Sequence, residues 1–105
     1  AYTYERQYQR AIVDYDKAIQ LKPYYADAYY NRGINQYILG LYEPAIRDFS
    51  QTINIKKDDA MAYNSRAIVY LNQGNRSLGC SDATIACSMK VCEALQTAKA
   101  KGLCR

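Results

Sequence analysis

Apolar and small residues between positions 8 and 21 recur with the period of an α-helix. One helical face is formed by Ala11, Ile12, Tyr15, Ala18 and Ile19. Pro23 predicts the end of this helix, because proline lacks the amide hydrogen of the helical ladder and restricts the residue before it. No segment alternates apolar and polar residues over enough positions to predict a strand, so the pattern predicts an all-α fold.

Glycine, proline and serine residues predict where the downstream helices begin and end. Gly40 and Gly74 are predicted C-terminal caps, since glycine readily adopts the left-handed conformation that follows a helix. Pro44 fits the first turn of a helix, where no amide hydrogen is needed, and Ser77 is the predicted N-cap of another helix. The predicted helices cover residues 8–21, 26–39, 42–55, 60–73, 77–89 and 92–101, with residues 1–7 as the tail of an incomplete first helix.

The chain repeats its own pattern with a period of 34 residues. The residues that coincide include Tyr8 and Tyr42, Ala11 and Ala45, Tyr29 and Tyr63, Arg32 and Arg66, and the three aspartates Asp14, Asp48 and Asp82. A fixed period in this range is typical of solenoid proteins, whose units bury their apolar faces against neighbouring units.

Residues 1–91 resemble tetratricopeptide repeats. The complete unit, residues 26–59, carries the family's pattern of aromatic, small and turn residues as Tyr29, Gly33, Gly40, Tyr42, Ala45 and Phe49. The resemblance implies a right-handed α-solenoid of antiparallel helix pairs, with about two and a half repeats and a C-terminal capping helix. A single domain, residues 1–105, then divides into a partial repeat (1–25), a complete repeat (26–59), a divergent repeat (60–91) and a disulfide-linked capping helix (92–105).

The resemblance also implies a binding site, because the first helices of successive repeats in this family line a concave groove. The inward row is Asp27, Tyr30, Ile34 and Tyr37 on the complete repeat, and Met61, Asn64, Ile68 and Leu71 on the next. Asn31 matches one position of the family's carboxylate-binding site, but Met61 and Ser65 stand where that site needs basic residues. We therefore predict a protein–protein interaction scaffold that binds a peptide or a partner helix through hydrophobic anchors. The alternatives for this row are ordinary packing and contact with a helix from the absent N-terminal portion of the protein.

Arginine and aspartate recur together in the repeats. Arg32 and Arg66 lie where the family often has leucine, while Asp14, Asp48 and Asp82 coincide in the second helices. The pattern predicts Arg–Asp pairs between stacked helices, which would fix the register of packing more than they would add stability. Independent solvated charges are the alternative interpretation.

All four cysteines lie in the last quarter of the chain. If the terminal helix lies antiparallel to the preceding one, Cys87 faces Cys92 across the turn and Cys80 faces Cys104 at the far end. A bond between Cys80 and Cys87 would span two helical turns, about 10 Å, which exceeds disulfide reach. We therefore predict the nested pairs Cys80–Cys104 and Cys87–Cys92. A zinc site with four cysteine ligands and four free thiols are the alternatives.

Disulfide bonds predict an oxidising compartment. Residues 78–105 also resemble the Cys-rich caps of some bacterial repeat proteins, which implies an extracytoplasmic location, periplasmic or secreted, in a bacterium. Because the repeat phase places Ala1 in the middle of a helix, we expect the chain to be a piece of a longer precursor.

Composition and charge argue against several functions. The formal net charge is +4, but the basic residues are scattered among acidic ones and form no stripe, so we predict neither nucleic-acid binding nor membrane insertion. The chain has no histidine, Gly-rich phosphate loop or nucleophile motif, so we expect no enzyme activity, catalytic residue, metal or cofactor.

A second hypothesis concerns the N-terminal face of the chain. Most of the first helix of the partial repeat is absent, which would leave Ile12, Tyr15 and Ile19 uncovered. An uncovered apolar face favours association, so the alternative function is a terminal segment of a longer solenoid that forms a homo-oligomer through this face.

Overall fold

The computed structural model describes residues 2–104, with side chains from residue 6 onward. Every regular element in this range is an α-helix, which confirms the predicted all-α fold. The helices are α1 (Tyr2–Leu21), α2 (Ala26–Ile38), α3 (Tyr42–Ile55), α4 (Ala60–Asn72), α5 (Arg76–Ser88) and α6 (Glu93–Ala100). They form two compact units: unit 1 (Ala1–Lys57) contains α1 to α3, and unit 2 (Asp58–Arg105) contains α4 to α6.

The first helix, α1, is continuous over 20 residues, although the sequence predicted a helix boundary near residue 7. That prediction was wrong because nothing in the sequence breaks the helix there. Gly40 and Gly74 end α2 and α4 with positive φ angles of 79° and 83°, and the residue one period before Gly40 is Arg6. Arginine favours helix and disfavours the left-handed conformation of a turn, so the helix continues through this position. The prediction for Ala1 lies outside the described residues.

Short polar side chains cap the N-termini of α4 and α5 in unit 2. Asp59 accepts a hydrogen bond from the backbone N–H of Ala62 at 3.2 Å, and Asn75 accepts one from the backbone N–H of Leu78 at 3.2 Å. Asn75 is therefore the N-cap of α5, and the predicted cap, Ser77, lies inside the helix. The helix starts earlier than predicted because the chain reverses at Gly74, which leaves the next residue in the capping position.

The core of unit 1 pairs a large side chain with a glycine. Phe49 on α3 is fully buried, and a Cβ atom added to Gly33 on α2 would lie only 2.8 Å from its Cε1 atom. Tyr30 packs on the same ring with 5.6 Å between ring centroids. Ala45 and Thr52, on the same helix as Phe49, are also fully buried. The absence of a side chain at Gly33 therefore lets the backbone of α2 approach α3 closely.

The core of unit 2 is built from smaller side chains. Ala67 on α4, Ala83 on α5 and Ala94 on α6 form a buried cluster, against which Ile68 and Leu95 pack. One alanine comes from each helix, so α6 belongs to the core of this unit.

Two disulfide bonds hold α6 against α5. Cys80 is bonded to Cys104 and Cys87 to Cys92, with Cα–Cα distances of 5.7 and 4.1 Å. These are the pairs predicted from the sequence, and no cysteine is free, so neither the zinc site nor the set of four thiols describes the structure. The helix itself contributes only two buried residues, both alanine. Because alanine buries little apolar surface, we infer that the covalent bonds hold α6 more strongly than its burial does.

Candidate protein-binding surface

Arg32 on α2 connects the three helices of unit 1. Its Nε and Nη2 atoms donate to the two carboxylate oxygens of Asp48 on α3, each at 2.7 Å, and its Nη1 atom donates to Asp16 on α1 at 2.7 Å. This forked geometry is specific to the guanidinium group, because an ammonium group presents no planar pair of donors. The three hydrogen bonds fix the orientation of α2, which carries the predicted contact row.

The equivalent pair in unit 2 joins Arg66 on α4 to Asp82 on α5. The Nε and Nη2 atoms of Arg66 donate to Asp82 at 2.7 and 2.9 Å. Arg–Asp pairing is therefore confirmed in both units, but the prediction for Asp14 was wrong, because the α1 carboxylate that Arg32 contacts is Asp16. Residues two positions apart on a helix differ in direction by about 200°, so Asp14 lies on the side of α1 away from α2.

Folding raises the pKa of both arginines above the ordinary arginine value. The largest cause for Arg32 is its hydrogen bond to Asp48, which outweighs the opposing effect of burial, and Asp16 adds to the increase. For Arg66 the largest cause is the hydrogen bond to Asp82. A raised pKa stabilises the folded state at every pH below the unfolded pKa, which for arginine exceeds about 12. We therefore expect both groups to stay charged at neutral pH.

The replacement Asp48→Ala is expected to lower the free energy of unfolding by about 2–3 kcal/mol, because this buried carboxylate accepts two of the hydrogen bonds of Arg32. Asp16→Ala is the matched control. It should cost at most about 1 kcal/mol, since the Asp16 side chain is 48% exposed. Urea unfolding followed by circular dichroism measures both values. Equal losses would contradict the assignment of Asp48 as the main partner of Arg32.

One face of α2 carries the polar and aliphatic part of the predicted row. Asp27 and Asn31 are exposed, and Ile34 is half-buried. These three residues share one face by helical spacing, whereas Arg32 and Gly33 face the neighbouring helices. The face therefore combines a carboxylate, an amide and an aliphatic group.

Two tyrosines, Tyr30 and Tyr37, flank this face and are positioned by α3. Tyr30 packs on Phe49 at a centroid separation of 5.6 Å, and Tyr37 stacks on Tyr42 at 5.7 Å. Both tyrosines are half-buried, so each ring is held on one side and presents the other part to the surface.

Ile38, which is not among the residues predicted from the sequence, extends the same row. Its side chain is 48% exposed, and it follows Ile34 by four residues. A shallow depression of about 290 Å³ next to it is lined by Gln9, Ile38, Leu39 and Leu41. The helical spacing of positions 27, 31, 34 and 38 was the signal that could have identified it. We use the term α2 surface for Asp27, Tyr30, Asn31, Ile34, Tyr37 and Ile38.

In the second half of the predicted row, on α4, Met61 is exposed, but the other three residues pack inside unit 2. Asn64 is only 4% exposed, and its side-chain oxygen accepts a hydrogen bond from the backbone N–H of Ala94 at 3.0 Å. Ile68 packs against the buried alanine cluster, and Leu71 packs over Gly79. Because α5 and α6 already use these three side chains, we leave them out of the proposed binding surface.

No metal site or bilayer-spanning helix is found in the described part of the chain. Within residues 2–104, no cluster of three or more cysteine, aspartate or glutamate side chains is arranged to bind a metal ion. In the same range, no helix combines the length and the apolar character needed to cross a lipid bilayer. The charge on the α2 surface comes from the single carboxylate of Asp27.

Proteins from several sources resemble the chain. It is 32% identical over 69 residues to a TPR repeat-containing protein of Rhizobium etli. This alignment covers 65% of this chain and 34% of that protein. It is 37% identical over 49 residues to an uncharacterised protein of Methanocaldococcus jannaschii. This alignment covers 47% of this chain and 57% of that protein. Two crystal structures of MamA match this chain at 32% sequence identity. The first has a TM-score of 0.78 and covers 84% of this chain and 52% of the MamA chain. The second has a TM-score of 0.75 and covers 90% of this chain and 48% of the MamA chain. The chain thus spans about half the length of the MamA chains.

Successive helix–turn–helix units with a constant period define an α-helical repeat protein of the solenoid class. A family model described as TPR repeat matches residues 1–40. Together with the repeat-containing relative and the MamA structures, this match shows that the chain is similar to tetratricopeptide repeat proteins. The fold is that of a protein–protein interaction scaffold.

Proposed function

We propose that the chain is a non-enzymatic interaction module whose α2 surface binds an extended or helical peptide. The observation that carries the proposal is the row of Asp27, Asn31, Ile34 and Ile38, which lies on the side of α2 opposite Arg32 and Gly33. Asp27, Asn31 and Ile38 are exposed and Ile34 is half-buried, and the fork of Arg32 keeps the helix fixed between α1 and α3. A fixed surface loses little conformational entropy when a ligand binds.

The chemistry of the α2 surface indicates which peptides fit it. Ile34 and Ile38 provide an aliphatic strip, and the half-buried rings of Tyr30 and Tyr37 provide flat apolar contacts with a polar end. Asp27 lies at the N-terminal end of the strip, where its carboxylate can pair with a basic group. The preferred ligand is therefore a peptide with two apolar anchors and a lysine or arginine near one end.

The two disulfide bonds fit an oxidising environment. We extend the proposal to the setting: binding takes place outside the cytoplasm, in the periplasm or beyond the cell, and the partner is a protein exposed to the same compartment. The bonds lie in unit 2, so the α2 surface itself contains no redox-sensitive group.

Selection from a random-peptide display library on the immobilised protein tests the proposal. We expect the selected peptides to share apolar anchors, and Ile34→Glu to weaken their binding about tenfold or more, because a charge would replace the centre of the aliphatic strip. Binding is measured by fluorescence anisotropy of labelled peptides.

Leu78→Glu is the matched control, since Leu78 is an exposed leucine on α5, 48% accessible, and lies outside the α2 surface. It should leave the affinity unchanged. Circular dichroism of both variants shows that they remain folded. Peptides that bind Ile34→Glu as well as the unmodified protein would show that the α2 surface is not the site.

A further inference from the structure

The turn between α1 and α2 exposes two neighbouring tyrosines. Tyr24 is 82% exposed and Tyr25 is 44% exposed. Pro23 and Lys22, which precede them, are exposed as well. We name these four residues, Lys22, Pro23, Tyr24 and Tyr25, the aromatic turn. Aromatic side chains gathered on an exposed turn typically mark an interaction site, because their contact with water is unfavourable.

The repeat pattern shows that this turn can form without the tyrosines. One period later, the turn between α3 and α4 has Asp58 in place of Tyr24 and Asp59 in place of Tyr25. Asp59 caps α4 with its carboxylate, whereas the side chain of Tyr25 makes no capping hydrogen bond to α2. A tyrosine at this position therefore gives up the stabilisation that a short polar side chain provides. A residue that departs from a local rule in this way is expected at a functional site.

The backbone of the aromatic turn is held in one conformation. Pro23 restricts its own φ angle and takes the second position of a β-turn, which is closed by a 3.0 Å hydrogen bond from the backbone N–H of Tyr25 to the carbonyl of Lys22. The hydroxyl group of Tyr29, on α2, donates a hydrogen bond to the carbonyl of Pro23 at 3.1 Å. A turn fixed in this way loses little conformational entropy when a ligand binds.

The side chains of the aromatic turn line a shallow depression of about 420 Å³. The ammonium group of Lys22 lies 5.8 Å from the ring centroid of Tyr25. It forms no ion pair with another described residue, and this includes the exposed carboxylate of Asp27. The depression therefore combines flat aromatic walls, phenolic hydroxyl groups and a cation that is available to a ligand.

These features fit a polyproline II helix that carries an acidic residue. The proline rings of such a helix pack on exposed aromatic side chains. Its backbone makes no internal hydrogen bonds, so its carbonyl groups can accept hydrogen bonds from tyrosine hydroxyl groups. The ammonium group of Lys22 favours a carboxylate beside the prolines.

We propose that the aromatic turn binds a proline-rich segment of another protein, in the polyproline II conformation and with an acidic residue beside the prolines. Residues 1–105 contain two prolines, Pro23 in this turn and Pro44 in α3, so a second copy of these residues supplies no proline-rich segment. The site goes beyond the proposed peptide-binding function, because it uses no residue of the α2 surface and selects prolines rather than aliphatic anchors.

A labelled peptide with one glutamate between two runs of proline is the probe. We expect saturable binding to the 105-residue protein, measured by fluorescence anisotropy. A peptide with lysine in place of the glutamate should bind about tenfold more weakly, because its charge repels Lys22. A peptide with alanine in place of the prolines should bind at least tenfold more weakly, because it offers no proline ring and favours a different helix. Lys22→Glu protein should prefer the lysine peptide.

Tyr25→Asp separates binding from folding. This change gives α2 the capping residue that α4 already has, so the variant should unfold at a higher urea concentration, as followed by circular dichroism. Its affinity for the glutamate peptide should nevertheless fall about tenfold, because one aromatic wall is lost. A tyrosine with only a structural role would not combine a gain in stability with a loss of binding. Ile34→Glu, on the α2 surface, should leave binding of this peptide unchanged.

Several results would overturn the proposal. They are the absence of saturable binding, equal binding of the lysine or alanine peptide, and undiminished affinity in Tyr25→Asp protein. Loss of binding in Ile34→Glu protein would place the peptide on the α2 surface instead. If phosphatidylglycerol vesicles bind the unmodified protein but not Tyr24→Asp protein, and the peptide does not bind, the turn contacts a lipid surface and the proposal is refuted.

Discussion

Replacing Phe49 by alanine is expected to lower the free energy of unfolding by about 3–5 kcal/mol. The side chain is fully buried, and its ring contacts the backbone at Gly33 and the ring of Tyr30. Truncation leaves a cavity that α2 cannot fill, because Gly33 has no side chain to move into it. Urea unfolding followed by circular dichroism measures the loss. Val13→Ala is the control at an exposed position of α1 and should change the value by less than about 0.5 kcal/mol.

Gly33→Ala tests the same contact from the opposite helix. In the unmodified protein it should cost about 1–3 kcal/mol, because the added Cβ atom would lie too close to the Phe49 ring. In the Phe49→Ala background the cost should disappear, since the cavity accepts the methyl group. Unit 2 has alanine at both equivalent positions, because Ala67 corresponds to Gly33 and Ala83 corresponds to Phe49. Additive losses in the double variant would contradict direct packing between the two positions.

Removing the Cys80–Cys104 bond by Cys80→Ser and Cys104→Ser is expected to lower the free energy of unfolding by about 3 kcal/mol. The bond closes a segment with a sequence separation of 24 residues, so its loss returns considerable entropy to the unfolded chain. Denaturant unfolding measures the change. Hydrogen exchange should also accelerate in α6, because this short helix buries only two alanines and is marginal without its attachment.

The other bond provides the comparison for this prediction. Cys87 and Cys92 are separated by only five positions, so replacing both by serine should cost less, about 2 kcal/mol. The Cys80–Cys104 bond should also protect the C-terminal end of α6 more than the Cys87–Cys92 bond does. If removal of the Cys87–Cys92 bond lowers the free energy of unfolding as much as removal of the Cys80–Cys104 bond, or more, the loop-entropy explanation is wrong.

Most helix boundaries could be predicted from single residues with strong backbone preferences. Gly40 and Gly74 adopt positive φ angles and end α2 and α4, as their positions predicted. The exception was α1, where the 34-residue period suggested a boundary that no residue enforces. Arg6 has neither the freedom of glycine nor the missing amide of proline, so local preference decided the outcome over the repeat pattern.

The candidate site could be predicted only where a helix face has no neighbour within its own unit. On α2 the spacing of Asp27, Asn31 and Ile34 predicted a shared face, on which Asp27 and Asn31 are exposed and Ile34 is half-buried, while their role in binding stays a prediction. On α4 the same spacing selected Asn64, yet this amide binds the backbone of α6. Sequence periodicity shows which residues share a face, but which element covers that face depends on tertiary packing.

The Arg–Asp pairs show a similar limit. The 34-residue recurrence correctly identified Asp48 and Asp82 as partners of an arginine, because each faces the arginine of its own repeat. It also selected Asp14, whose corresponding arginine is not among residues 1–105. Arg32 instead reaches a carboxylate on the preceding helix, Asp16, through its remaining nitrogen. The reach and the fork of the guanidinium group determine this second contact, and neither is visible in a one-dimensional period.

The capping helix α6 begins where the 34-residue period would start the first helix of another repeat, since Ala26 and Ala60 are followed one period later by Ala94. It replaces a whole repeat by an eight-residue helix and two covalent bonds, and it occupies the surface of α4 and α5 on which a further helix pair would stack. Gene duplication can therefore lengthen this array only ahead of α4, unless the bridging cysteines are first lost. The two bonds thus fix the direction in which the array can grow during evolution.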